Sequence, residues 1–106
     1  MHNALIVDND ITLVELMQTI LRRNGYQTIV TSRSEESLDM IYHHRPDVII
    51  LNDQMPHVSG SELCSCIKQN PDLGATPVIM VSAGDRVRDP VYLRQIGADA
   101  VLPKPY

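Results

Sequence analysis

The sequence predicts one α/β domain: a five-stranded parallel sheet, doubly wound with helices on both faces. Three observations lead there. Five short aliphatic segments, Ala4–Val7, Gln27–Thr31, Val48–Leu51, Val78–Val81 and Ala100–Leu102, alternate with stretches whose apolar residues recur every three or four positions. Strands alternating with helices imply parallel pairing through right-handed crossovers. Val48–Leu51 and Val78–Val81 contain no polar residue, the mark of strands covered on both faces.

Ala4–Val7 runs into Asp8 and reads as a buried strand. Ile11 to Asn24 carries Leu13, Met17, Ile20 and Leu21 at helical spacing, with Asp10 as N-cap and Gly25 as stop. Gln27–Thr31 is rich in β-branched residues. Ser32-Arg33-Ser34-Glu35 has capping-box spacing, so a helix is expected from there to about His44, with Leu38, Ile41 and Tyr42 on its apolar positions. Pro46 closes that region. Met55 to Gly60 reads as a loop and Ser61 to Gln69 as a short helix, broken by Asn70-Pro71-Asp72. After the strand Val78–Val81, Ser82–Asp89 is a polar loop. Asp89 and Pro90 then open a helix to Ile96, which Gly97 stops. Ala100–Leu102 is the fifth strand, followed by Pro103-Lys104-Pro105-Tyr106.

A sheet wound on both faces needs a fifth helix after the last strand, and the sequence supplies four. Residues 1–106 are therefore expected to form one domain that is a fragment of a longer multidomain protein. The other reading is a face covered by a partner. Either one leaves an apolar patch, which favours association.

The 106 residues suffice for a single core without staples. Nine basic against thirteen acidic residues give a net charge of −4, which argues against direct nucleic-acid binding. The apolar runs are strand-sized, too short to span a bilayer, and Met1-His2-Asn3 enters a strand with no signal-peptide pattern. A cytoplasmic setting with reduced thiols is expected. Cys64 and Cys66, two apart on a helix, point to different sides, and one is expected in the core. No Gly-rich phosphate loop is present. The histidines at 2, 43, 44 and 57 lack zinc-ligand spacing, and Cys64 falls mid-helix, a poor place for a thiol nucleophile.

Ligands of parallel α/β sheets bind at the carboxyl ends of the strands. Polar residues gather there: Asp8-Asn9-Asp10 after strand one, Asn52-Asp53 after strand three, Ser82 after strand four and Lys104 after strand five. A small ligand-binding domain is one reading of such an edge.

The order and spacing of Leu5-Ile6-Val7-Asp8, Pro46-Asp47-Val48, Met55-Pro56-x-x-x-Gly60, Pro77-Val78-Ile79, Ser82-Ala83, Gly97-Ala98-Asp99 and Lys104-Pro105 are more specific than any one of these pieces. Together they make the chain similar, over its whole length, to the receiver domain of two-component response regulators. The resemblance implies a flavodoxin-like (CheY-like) fold with strand order 2-1-3-4-5. It implies phosphoryl transfer from a histidine kinase to an aspartate four residues before the proline of Met55-Pro56. That position holds Asn52. It further implies a magnesium site on Asp8 and Asn9, phosphoryl contacts from Ser82 and Lys104, a cis peptide at Lys104–Pro105, and an aromatic switch at the position of Val101.

Three of these positions depart from the family pattern, and all three weaken one function. The Asn52 amide cannot attack phosphorus to form an acyl phosphate. Asn9 and Asn52 remove two negative charges from a site for a hard cation, so magnesium is expected to bind weakly at best, on Asp8 with help from Asp10. Val101 lacks the switch ring. Lys104 is free to bond the Asn52 carbonyl oxygen or to pair with Asp8. Asp53 is the alternative acceptor. Alternation along a strand turns it away from Asp8 and Lys104, as a solvated or capping residue, unless a bulge turns it in. The expectation is a degenerate receiver, or pseudo-receiver: not an enzyme, without a firmly bound cofactor, and acting through a histidine kinase, an output domain or a homodimer rather than through nucleic acid or membrane.

Overall fold

The computed structural model describes residues 2–84 and 88–104. The elements run in order β1 (His2–Val7), α1 (Ile11–Arg23), β2 (Tyr26–Thr31), a 3-10 turn (Ser34–Glu36), α2 (Ser37–His44), β3 (Val48–Asn52), α3 (Gly60–Gln69), β4 (Val78–Ser82), α4 (Pro90–Ile96) and β5 (Ala100–Pro103). The strands form one sheet in the order β2-β1-β3-β4-β5, and every pairing is parallel. This is the doubly wound architecture that the alternation of segments implies.

Period-two alternation sorts the strand residues onto two faces. Leu5, Val7, Ile49, Leu51, Val78 and Met80 point into the larger core, where they meet Ile41 of α2, Leu63, Cys64 and Ile67 of α3, and Tyr92 and Ile96 of α4. Ile6, Ile50 and Val81 point the other way, against Val14 and Met17 of α1. Among the described residues α1 is the only helix of that second layer. Val48, Ile79 and Leu102 on its open half are partly buried. Leu16 and Ile20 of α1 are exposed.

Most caps match the sequence. The Asp10 side chain accepts from the Leu13 N–H, and the Asp89 side chain accepts from Val91. Gly97 ends α4 at φ 77°, a left-handed backbone for which glycine is suited. One expected cap does not form. The segment after β2 opens with the 3-10 turn, which has no side-chain cap, rather than with a capping box. The Ser34 hydroxyl instead donates to the carbonyls of Pro56 and Val58, tying α2's entry to the loop beyond β3. None of the described helices is long and apolar enough to cross a membrane.

Candidate functional site

The parallel register brings the carboxyl ends of β1, β3 and β4 to one edge, with Val7 opposite Leu51 and Asn52 opposite Val81. The backbone continues that register past the strands. Asp8 N–H donates to Thr31 O, Asp53 N–H to Val81 O, and Lys104 N–H to Ser82 O. Asp8, Asn52, Asp53 and Ser82 are all buried there.

Lys104 pairs with Asp8: its Nζ lies 3.1 Å from Oδ2 and 3.3 Å from Oδ1. Of the two partners the sequence offers Lys104, the carboxylate is the one it takes. Asp8 Oδ1 also accepts the Asp10 N–H at 3.0 Å. Asp10 is exposed and acts as the α1 cap, so its carboxylate is held by the backbone.

Asn52 is fixed by its amide nitrogen. Nδ2 donates to Gln54 O at 3.0 Å, to Asn9 Oδ1 at 3.4 Å and to the Met55 sulfur at 3.5 Å. The orientation has a physical reason. Turning the amide over would set Oδ1 against the Gln54 carbonyl, acceptor against acceptor. An N–H group therefore lies where a carboxylate oxygen would be needed to hold a metal ion. Asn9 is neutral and Asp8 is already neutralised by Lys104. Among the described residues, no three His, Cys, Asp or Glu side chains converge as metal ligands. This donor set does not fit magnesium.

Ser82 is buried, and its Oγ accepts the Gly84 N–H at 3.0 Å. Val101 pairs with Met80 and packs, half-buried, against the larger core. The Lys104–Pro105 peptide bond involves Pro105, which lies outside the described residues.

The expectation of a solvated or capping Asp53 is corrected. Its carboxylate is buried, and Oδ1 accepts the Tyr92 hydroxyl of α4 at 3.0 Å. The two residues are 39 positions apart, and no spacing rule reveals the pair. Gly60 explains the tight geometry below the site. A Cβ there would strike the Asn52 carbonyl oxygen and lie 2.7 Å from Asp53 Cα, while the Gly60 N–H donates to Asp53 O.

The model of the family described as "Response regulator receiver domain" matches residues 4–106. The chain belongs to this family. It is 36% identical over 103 residues to the polar-differentiation response regulator DivK of Brucella anthropi, an alignment spanning 97% of this chain and 84% of that protein. Its structure superposes on the signal receiver domain of a signal transduction histidine kinase from Syntrophus aciditrophicus with a TM-score of 0.89 at 35% identity, covering all of this chain and 80% of that one. The chemotaxis protein CheY4 of Vibrio cholerae gives a TM-score of 0.88 at 25% identity, over all of this chain and 88% of that one. This protein is thus a receiver domain of the two-component response-regulator type, with the CheY-like fold. Receiver domains are signalling modules that work through protein partners such as kinases and output domains.

Proposed function

We propose that this receiver is a pseudo-receiver: a domain kept for binding a protein partner, which does not cycle through an aspartyl phosphate. The observation that carries the reading is the state of Asn52. The residue at the acceptor position is an amide whose nitrogen is held by Gln54 O and Asn9, while the lysine that would meet a phosphoryl group is paired with Asp8. The domain supplies shape rather than chemistry, and no enzymatic role is assigned to it. The occupant of the binding role is a kinase, an output domain or a second copy, in the cytoplasm. The 1–106 segment acts as one receiver unit, with the open half of the α1 face as a place for a partner to pack.

Incubation with a small phosphodonor and magnesium, followed by intact mass measurement, tests the proposal. No mass gain is expected. Incorporation of a phosphoryl group that disappears in Asp53→Asn would overturn it and establish Asp53 as the acceptor. Against that role, the Asp53 carboxylate is bonded to Tyr92, and Lys104 is held by Asp8.

A further inference from the structure

Asp53 has a second property that the strand-end cluster does not use. The residue is more than nine-tenths buried, at 8% exposure. Oδ1 accepts one hydrogen bond, from Tyr92, while Oδ2 accepts neither a hydrogen bond nor an ion pair among the described residues. Oδ2 is not sealed either, because among the described residues Ser37 Oγ alone is a sealed side-chain polar atom without a partner. It therefore keeps some exposure, and Asp53 lines a cavity. That cavity has a volume of about 540 Å³ and lies between the β3–α3 loop, the first turn of α3 and the end of β4. Gln54, Met55, Ser59, Ser61, Glu62 and Gly84 share the lining with Asp53, so among the described residues its two charged groups are both acids. A buried carboxylate with one neutral donor is costly, and a cation at its free oxygen lowers that cost.

We propose that this cavity receives the guanidinium group of an arginine side chain carried by a protein partner. A metal ion would lack ligands, since no three suitable side chains converge among the described residues. A guanidinium presents five N–H donors in a planar fork, is weakly hydrated and pairs well with carboxylates. Residues that carry such acceptors line the wall: Asp53, Glu62, and Ser59 and Ser61, whose hydroxyls bond each other at 3.1 Å. Because Tyr92 holds the other Asp53 oxygen, arginine binding would be felt directly at α4. The site uses none of Asp8, Asn52 or Lys104, but it shares Asp53 with the alternative-acceptor reading, so the test is made on the unphosphorylated chain.

The test is a titration of the ¹⁵N-labelled chain with Nα-acetyl-arginine amide, alongside its lysine and citrulline counterparts, followed by amide NMR shifts. Saturable shifts at Asp53, Gln54, Glu62 and Gly84 are expected with arginine in the millimolar range, weaker ones with lysine, and none with neutral citrulline. Asp53→Asn keeps the shape and removes the charge, and is expected to weaken binding by about tenfold or more. Tyr92→Phe keeps the carboxylate and is expected to bind at least as tightly as the parent. Asp39→Asn, an exposed acid on α2, is expected to change nothing. Equal shifts with citrulline, no saturation with arginine, or undiminished binding by Asp53→Asn would each overturn the proposal.

Discussion

Lys104 reaches both carboxylate oxygens of Asp8, at 3.1 and 3.3 Å, with side-chain exposures of only 12% and 5%. The pair joins the end of β5 to the end of β1, which are not neighbours in the sheet. Removing one member leaves the other as a buried, unpaired charge. Lys104→Met is therefore expected to cost roughly 3–5 kcal/mol, and the double variant Asp8→Asn/Lys104→Met much less. Urea unfolding of both variants and the parent checks this. A single-variant loss below about 1 kcal/mol would show that the pair behaves as an exposed one.

The two amides should act together. Asn52→Asp loses the Gln54 bond and sets a carboxylate oxygen against that carbonyl, so it is expected to destabilise the fold by about 1–3 kcal/mol. With magnesium and a phosphodonor, Asn52→Asp alone is expected to show only trace phosphorylation by intact mass. Asn9→Asp/Asn52→Asp, with both charges restored, is expected to be mostly phosphorylated. Equal labelling of the single and double variants would show that Asn9 has no part in the deficiency.

The thiols separate by environment. Cys64 is fully buried in the larger core, and burial pushes its pKa up to about 11, while Cys66 is exposed. At pH 8 iodoacetamide is expected to label Cys66 alone, with Cys64 reacting only after denaturation, as peptide mass mapping would show. In the unfolded chain the Cys64 thiol ionises near pH 9, in the fold near 11. Its contribution to stability is thus complete below pH 9 and lost as the pH rises to about 11. Cys64→Ala, at a cost of about 1 kcal/mol for the lost volume, should flatten the alkaline limb of stability against pH.

Lys68 works as a clamp. Its Nζ donates to Gly74 O and Thr76 O and lies 2.6 Å from Asp99 Oδ2, which itself accepts the Val78 N–H. Burial pushes the Asp99 carboxyl up, but the Lys68 hydrogen bond, the Val78 N–H and the Lys68 charge outweigh it and hold the pKa below the usual value. The stability this confers is present above the ordinary carboxylate pKa and lost as the pH falls through the depressed one. Lys68→Met is expected to lose about 1–3 kcal/mol at pH 7, and Asp99→Asn to reduce the loss of stability in acid. Urea midpoints between pH 7 and pH 3 measure both.

The strands were legible in the sequence because their apolar runs carry the burial pattern directly. Val78–Val81 is predicted as a strand, and β4 adds only Ser82. The start of β1 was less visible. His2 and Asn3 are polar, and they become strand by pairing with Tyr26 and Gln27, a contact made in space. The 3-10 turn was hidden for the same reason. Ser34 meets local capping rules, but its hydroxyl partners lie 22 and 24 residues away. The strand-end residues were found because parallel topology delivers them to one edge. Where their atoms point was not, since Asn52 is oriented by the Gln54 carbonyl and Asp53 by a tyrosine on α4.

The strand-end cluster of Asp8, Asn9, Asn52 and Lys104 contains one negative group, one positive group and two neutral amides. Its charge is balanced by covalent structure alone. A site that borrows its cation from solution changes with chelators and with magnesium supply. This one carries its countercharge on the chain. Under the binding reading, the shape it presents is set when the protein folds, and the quantity left for a cell to vary is the number of copies.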